Sequence, residues 1–196
     1  MLNFAAAIFL LLITPGPGVL SLAGVGAAFG FRSGLRYMTG LFLGTNMVAL
    51  AVVSGLAAVV LASPVIRLIL LALSTGYLLY LAARIALAGS NIAFSPAARQ
   101  PGIRDGLLLQ AVNPKAYVVN TTLFAGFALF EDAYLAEVVV KFVIINVIWI
   151  SIHFLWLWAG ASVKRMELAP RTQRIINVGM AAAMLGVVAL AGLSAL

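Results

Sequence analysis

The sequence predicts an all-α, polytopic membrane protein. Three observations carry that expectation. Hydrophobic residues make up 64% of the 196 residues and charged ones 9%, with a mean hydropathy of +1.16, whereas soluble domains carry roughly a quarter charged residues. Six long apolar stretches run along the chain, each near the roughly 20 residues that a helix needs to cross a bilayer. Lysine and arginine gather in alternate connections between these stretches. A β-barrel would instead show short alternating strands and a polar lumen face; these runs are continuous and rich in Ala and Leu.

The first stretch, Leu2–Phe29, contains "LLITPGPGVL". Pro15 and Pro17 lack backbone donors, and Gly16 and Gly18 loosen what remains. Two readings stand: a proline kink that shapes packing, or a helix broken at Thr14–Gly18. A break would expose amides at the start of its second half, where the helix dipole suits a carboxylate. In hydrocarbon such irregular backbone survives only where protein or a cavity covers it. The stretch is long, interrupted and without Lys or Arg ahead of it, unlike a cleavable signal peptide.

The second stretch, Tyr37–Ser63, places Thr45 and Asn46 after Gly40-x-x-x-Gly44. Asn46 is a candidate to line a cavity or to bond another helix. GxxxG faces at Gly26/Gly30 and Gly40/Gly44 suit close helix contact and a homodimer. The third stretch, Val65–Ala88, is followed by the longest connection, Gly89–Gly106. A single transporter domain, 1–196, is therefore expected as halves 1–88 and 107–196 joined by a cytoplasmic loop, 89–106. Three stretches per half make the second half insert upside down. Two inverted three-helix halves, each opening on an interrupted helix, are a recurring transporter plan.

The fourth stretch, Leu107–Phe130, contains "NPKAYVVNTT", Asn113 to Thr122. Lys115 lies inside it, where a central Lys costs about 2.5–3.5 kcal/mol on insertion scales. It either snorkels to the surface or faces a cavity, pairing there with a substrate carboxylate or with carbonyls freed near Pro114. Asn113, Asn120, Thr121 and Thr122 could add hydrogen bonds. The fifth stretch, Val138–Val163, holds Asn146, Ser151 and His153 beside Trp149, Trp156 and Trp158. His153 could relay a proton or serve as a structural hydrogen-bond donor. The sixth is Ile175–Leu196.

Charge placement orients the chain. Arg32, Arg36, Arg84, Arg99, Arg104, Lys164, Arg165, Arg171 and Arg174 flank one face; Arg67 and Lys141 flank the other. The positive-inside rule puts the basic connections in the cytoplasm and both termini in the periplasm. The formal charge of +7 lies scattered at helix ends, so no nucleic-acid surface is implied. With no Cys and one His, disulfides, cysteine metal sites and a metal-spaced His cluster are excluded. The five carboxylates sit in connections or at span edges, so no deep carboxylate proton carrier is visible. No catalytic constellation or Walker motif occurs. An enzyme is not expected, nor is a cofactor.

These stretches, with "GFRSGLRYMTGLFLGTNM", "GLLLQAVNPKAYVV" and "RTQRIINVGMAAAMLGVVALAG", resemble the LysE/RhtB amino-acid exporters, in order across almost the whole chain. The pairing of TPGP early with NPKA in the middle carries the likeness. The resemblance implies a six-helix exporter of amino acids or related metabolites in the bacterial inner membrane, driven by the ion gradient, with H+ the expected coupling ion. The family's two motifs fall on Thr14, Pro15, Gly16 and Pro17, and on Asn113, Pro114, Lys115 and Ala116. The chain departs from the family pattern at Gly18, commonly Asn, and at Thr45-Asn46, where many members are acidic. It also lacks the Pro-Gln-Phe stretch that often follows NPKA.

The expected site therefore comprises Thr14, Pro15, Gly16, Pro17, Gly18, Asn46, Asn113, Pro114, Lys115 and Asn120. A small amphoteric solute would bind there near the midplane. Its carboxylate would meet the Gly16–Gly18 amides or Lys115, and its ammonium the carbonyls freed by Pro15 or Pro114. Rocking of one half against the other would expose it outside. The competing expectation is a non-transporting membrane assembly or lipid-handling protein, whose small-residue faces serve packing alone.

Overall fold

The computed structural model describes residues 1–87, 100–130 and 132–193. Arg99, Glu131 and most of the Gly89–Gly106 connection lie outside the described residues. The elements in order are α1 Leu2–Ile13, α2 Pro17–Phe29, α3 Phe31–Val53, α4 Leu56–Ala62, α5 Pro64–Ala86, α6 Ile103–Val112, α7 Pro114–Ala125, α8 Tyr134–Arg165 and α9 Pro170–Leu193. The protein is all-helical among the described residues. α3, α5 and α8 are each long and apolar enough to cross a membrane, and α1 with α2 passes the same test as a pair bent by 54°.

Proline punctuates the chain by starting helices. α2, α5, α7 and α9 all begin at a proline, where the missing N–H would have no helical partner and the ring presets φ. The expected stretch Tyr37–Ser63 proves divided. α3 ends at Val53 and Gly55 adopts a φ of 78°, a left-handed conformation that a side chain disfavours.

α3 lies along α6, α2 along α8 and α5 along α9. Glycine permits the first two crossings. A β-carbon on Gly40 would overlap the Ile103 carbonyl, one on Gly106 the Tyr37 carbonyl, and one on Gly160 the Ala23 carbonyl. The same contacts give these glycines partners other than a second copy of the chain. Gly26 faces Leu157 and Ala161 of α8, while Gly40 and Gly44 face α6, so these small-residue faces are occupied within one chain. Gly30 ends α2 with a φ of 88° instead of continuing a helical stripe.

Two buried apolar clusters hold the bundle. One joins Leu22, Tyr37, Leu81, Leu109 and Leu157 around Trp149; the other joins Phe4 and Ile8 of α1 to Leu123 and Ile145. Outward, α8 exposes Val139, Val143, Val147, Ile150, Phe154 and Trp158. A helix apolar on every face suits protein on one side and lipid on the other.

Lys141, expected merely to flank a span, is buried at 1% exposure. Its Nζ donates to the Phe124 carbonyl at 2.9 Å and to that of Phe127, and lies 2.6 Å from Glu137 Oε1. Glu137 Oε2 accepts from the Leu129 and Phe130 amides at 3.0 and 2.9 Å. The ion pair thus closes the carbonyl end of α7, where a cation is favoured, which explains why a lysine is tolerated inside.

Candidate functional site

Two helix breaks meet, Gly16 and Asn113 buried at the junction and Thr14 and Pro15 exposed beside it. α1 stops at Ile13, and Thr14 closes it by donating from Oγ1 to the Leu10 carbonyl at 2.6 Å. Gly16, fully extended at φ −156° and ψ 178°, precedes Pro17 at the first position of α2. The Gly18 and Val19 amides in that first turn have no intrahelical acceptor. In the second half α6 stops at Val112 and α7 starts at Pro114, with Asn113 between them.

Asn113 serves both sides of its break. Its Oδ1 accepts from the Lys115 amide at 3.1 Å, capping α7, and its Nδ2 donates to Gln110 Oε1 at 2.8 Å. Tyr117 donates from its hydroxyl to the Ala111 carbonyl at 2.8 Å. The Lys115 amide and the Ala111 carbonyl, beside the interruption, thereby gain partners.

Lys115 joins the two breaks. Its side chain crosses above Gly16 and its Nζ donates to the Thr14 carbonyl at 2.7 Å. A β-carbon on Gly16 would lie 2.8 Å from Lys115 Cδ and 3.0 Å from Nζ, so a larger residue there would oblige the lysine side chain to shift. Thr14 is the cap of α1, where the dipole favours a cation. Lys115 is partly buried and bonds a carbonyl at the other break.

A cavity opens beside this junction, with about 50 Å³ of space open to the centre of a water-sized sphere. That measure allows several waters, since one needs about 10–15 Å³. Thr14, Gly16, Gly18, Asn113, Lys115 and Asn120 line it, together with Thr45, Gln110, Trp149 and His153, against an apolar wall that includes Leu11, Leu12, Leu123 and Ile145. A second cavity on the far side of Lys115, of about 130 Å³ by the same measure, is bounded by Pro15, Pro17, Pro114, Ser74 and Thr75. Lys115 lines both.

Nine of the ten expected site residues therefore border one cavity or the other; Asn46 borders neither. It forms a reciprocal pair with Asn146 across α3 and α8, at 3.0 and 2.9 Å, and its neighbour Thr45 faces the cavity instead. One residue along a helix turns the side chain by about 100°, which is beyond what an uncorrected span register resolves.

Sequence reasoning assigned no role to Gln110, Thr45 or Ser21. Gln110 stands alone in "LLLQAV", three residues before Asn113, a signal that was legible. Ser21 is different: its Oγ donates to the Gly18 carbonyl at 2.9 Å and accepts from the Tyr37 hydroxyl at 3.0 Å, a relation visible only in three dimensions. This network holds the first turn of α2 in place beneath the cavity.

Comparison with known proteins identifies the family. The family model described as LysE type translocator matches residues 9–194. A leucine efflux protein of Enterobacter sp. (strain 638) is 26% identical over 130 residues, which cover 64% of this chain and 62% of that protein's length. No solved structure matches the chain. Translocators move solutes rather than transform them, so the chain is not an enzyme. With matches running from before the first break to the end of α9, the chain belongs to the LysE type translocator family of multi-pass membrane proteins.

Proposed function

We propose that the protein is a secondary-active exporter of amino acids across the bacterial inner membrane, with H+ as coupling ion. The six apolar stretches form two inverted three-helix halves, 1–88 and 107–196, joined by the cytoplasmic connection 89–106, with both termini periplasmic. The halves alternate access around the breaks in the first and fourth stretches. The observation that carries this reading is the 2.7 Å bond from Lys115 Nζ to the Thr14 carbonyl, which couples the two breaks at the edge of a cavity with polar and apolar walls.

A substrate carboxylate exchanges for the Thr14 carbonyl at Lys115 and takes up the Gly18 and Val19 amides. A carboxylate is the better acceptor for an ammonium, so binding loosens the link between the halves. The apolar wall of Leu11, Leu12, Leu123 and Ile145 suits an aliphatic side chain, consistent with the efflux of leucine named for the relative. The free space is smaller than such a solute, so its entry requires the helices to part. Membership of a translocator family argues against a purely assembly or lipid-handling role.

Leucine counterflow in proteoliposomes tests the proposal. Wild-type protein should exchange labelled leucine, and Lys115→Ala, checked for folding by thermal unfolding, should not. Full counterflow by that variant would overturn the site; failure of the wild type across a panel of amino acids would overturn the function.

A further inference from the structure

We propose that His153 binds the α-ammonium group of the transported solute, which makes the site selective for α-amino acids over carboxylates that lack the amine. The inference rests on the amino-acid exporter reading. It adds a residue to the site and assigns the half of the zwitterion that the junction at Lys115 does not address.

The geometry begins with the other ring nitrogen. His153 Nδ1 lies 2.9 Å from the Trp149 carbonyl. A carbonyl only accepts, so Nδ1 carries the hydrogen, and in the neutral imidazole Nε2 must then be an acceptor. The ring cannot easily turn away, because it stacks on Trp149 at 3.5 Å and 13°, and Trp149 is itself braced by the edge of Phe42. His153 is 3% exposed and borders the cavity. Its Nε2 makes no hydrogen bond among the described residues. His153 lines the cavity, so this acceptor is open to a donor that a ligand or water brings there.

The surroundings specify which donor. A β-carbon built on Gly18 would lie 3.7 Å from His153 Nε2 and 3.9 Å from Gln110 Nε2. The space above Gly18 is therefore faced by one acceptor and by an amide nitrogen that donates. The Oε1 of Gln110 is already taken by Asn113 at 2.8 Å, which orients its Nε2 hydrogens toward the opening. A group seated there must donate on one side and accept on the other. The ammonium and carboxylate of an α-amino acid sit on adjacent carbons and meet that requirement together. The ammonium donates to His153 Nε2, and the carboxylate accepts from Gln110, the α2 amides and Lys115. Gly18 leaves the room this pose needs.

Binding to the full-length, purified protein tests the assignment with leucine, with 4-methylpentanoate, which lacks the amine, and with N,N,N-trimethylleucine, which keeps the charge but has no N–H. Wild-type protein should prefer leucine over either analogue by about 10- to 100-fold, the worth of one hydrogen bond to a charged group. His153→Phe, which keeps a ring to stack on Trp149, should lose most of that preference while binding 4-methylpentanoate as before. Gly18→Ala puts a methyl at ordinary contact distance and serves where His153→Phe does not fold; it should weaken leucine binding more than that of 4-methylpentanoate. An unchanged preference in either folded variant, or wild-type protein that binds trimethylleucine as tightly as leucine, would overturn the role of His153 and leave the exporter reading standing. A wild type that binds no amino acid would overturn both.

Discussion

Lys115 Nζ and the Thr14 carbonyl oxygen, 101 residues apart in the chain, are joined by a hydrogen bond of 2.7 Å. The lysine stem passes close over Gly16, where an added β-carbon would lie 2.8 Å from Cδ and oblige the side chain to shift. Gly16→Ala should therefore displace Lys115 and reduce leucine counterflow at least about tenfold, the equivalent of about 1.4 kcal/mol. Thermal unfolding should show that a second substitution, Lys115→Ala, relieves the crowding. If Gly16→Ala transports as well as wild type, the lysine's path is not constrained as described.

Asn113 carries two bonds with different chemistry, one to the Lys115 amide and one to Gln110. Asn113→Ala should lose the cap, worth about 0.5–2 kcal/mol, and leave Gln110 Oε1 unpaired, a further cost of about 1–3 kcal/mol. Asn113→Asp keeps an acceptor for the cap but loses the donor to Gln110. Melting temperatures in detergent should therefore rank wild type, Asp and Ala in descending order.

The Asn46–Asn146 pair is a closed unit, each side chain satisfying the other. Either residue changed alone to leucine should destabilise by about 1–3 kcal/mol, because its partner is left unpaired. Changing both should recover a large part of that loss. A double-mutant cycle on thermal stability reads the coupling; additive losses would show that the two side chains act independently.

Glycines in this chain separate by what their missing side chain would meet. Gly40→Ala should force α3 and α6 apart, because the added carbon overlaps the Ile103 carbonyl. Gly76, within α5, has nothing within 4 Å of that position, and Gly76→Ala should stabilise by roughly 0.5–1 kcal/mol through helix propensity. Opposite shifts in melting temperature are expected; equal effects would remove the argument that close approach selects Gly40.

Much of the site was legible because polar and helix-breaking residues inside apolar stretches are expensive and few. Thr14 to Gly18 and Asn113 to Lys115 stand out on that ground alone, and both prove to be breaks bordering a cavity. What the pattern left open has a common cause. Asn46 stood as a cavity residue or an interhelical partner, and its position on the helix circumference turns it toward Asn146. Lys141 looked like a boundary charge, but it lies buried beneath the end of α7 because the backbone there has carbonyls to offer. Gly26, Gly40 and Gly44 announced close contact without naming the partner surface, which is another part of the same chain.

What the sequence determined by itself was the class: 64% hydrophobic and 9% charged residues point to helices in lipid, and TPGPG and NPK mark where two of them kink or break. Pattern and composition suffice for this, since backbone groups in hydrocarbon must be satisfied within the segment or by covered protein. Only the tertiary structure decided that the breaks face each other, that Lys115 spans them over Gly16, and that His153 Nε2 faces the space over Gly18. Those relations depend on the crossings of α2 with α8 and of α3 with α6. The direction a side chain takes there is set by contacts between residues distant in sequence, which no local pattern encodes.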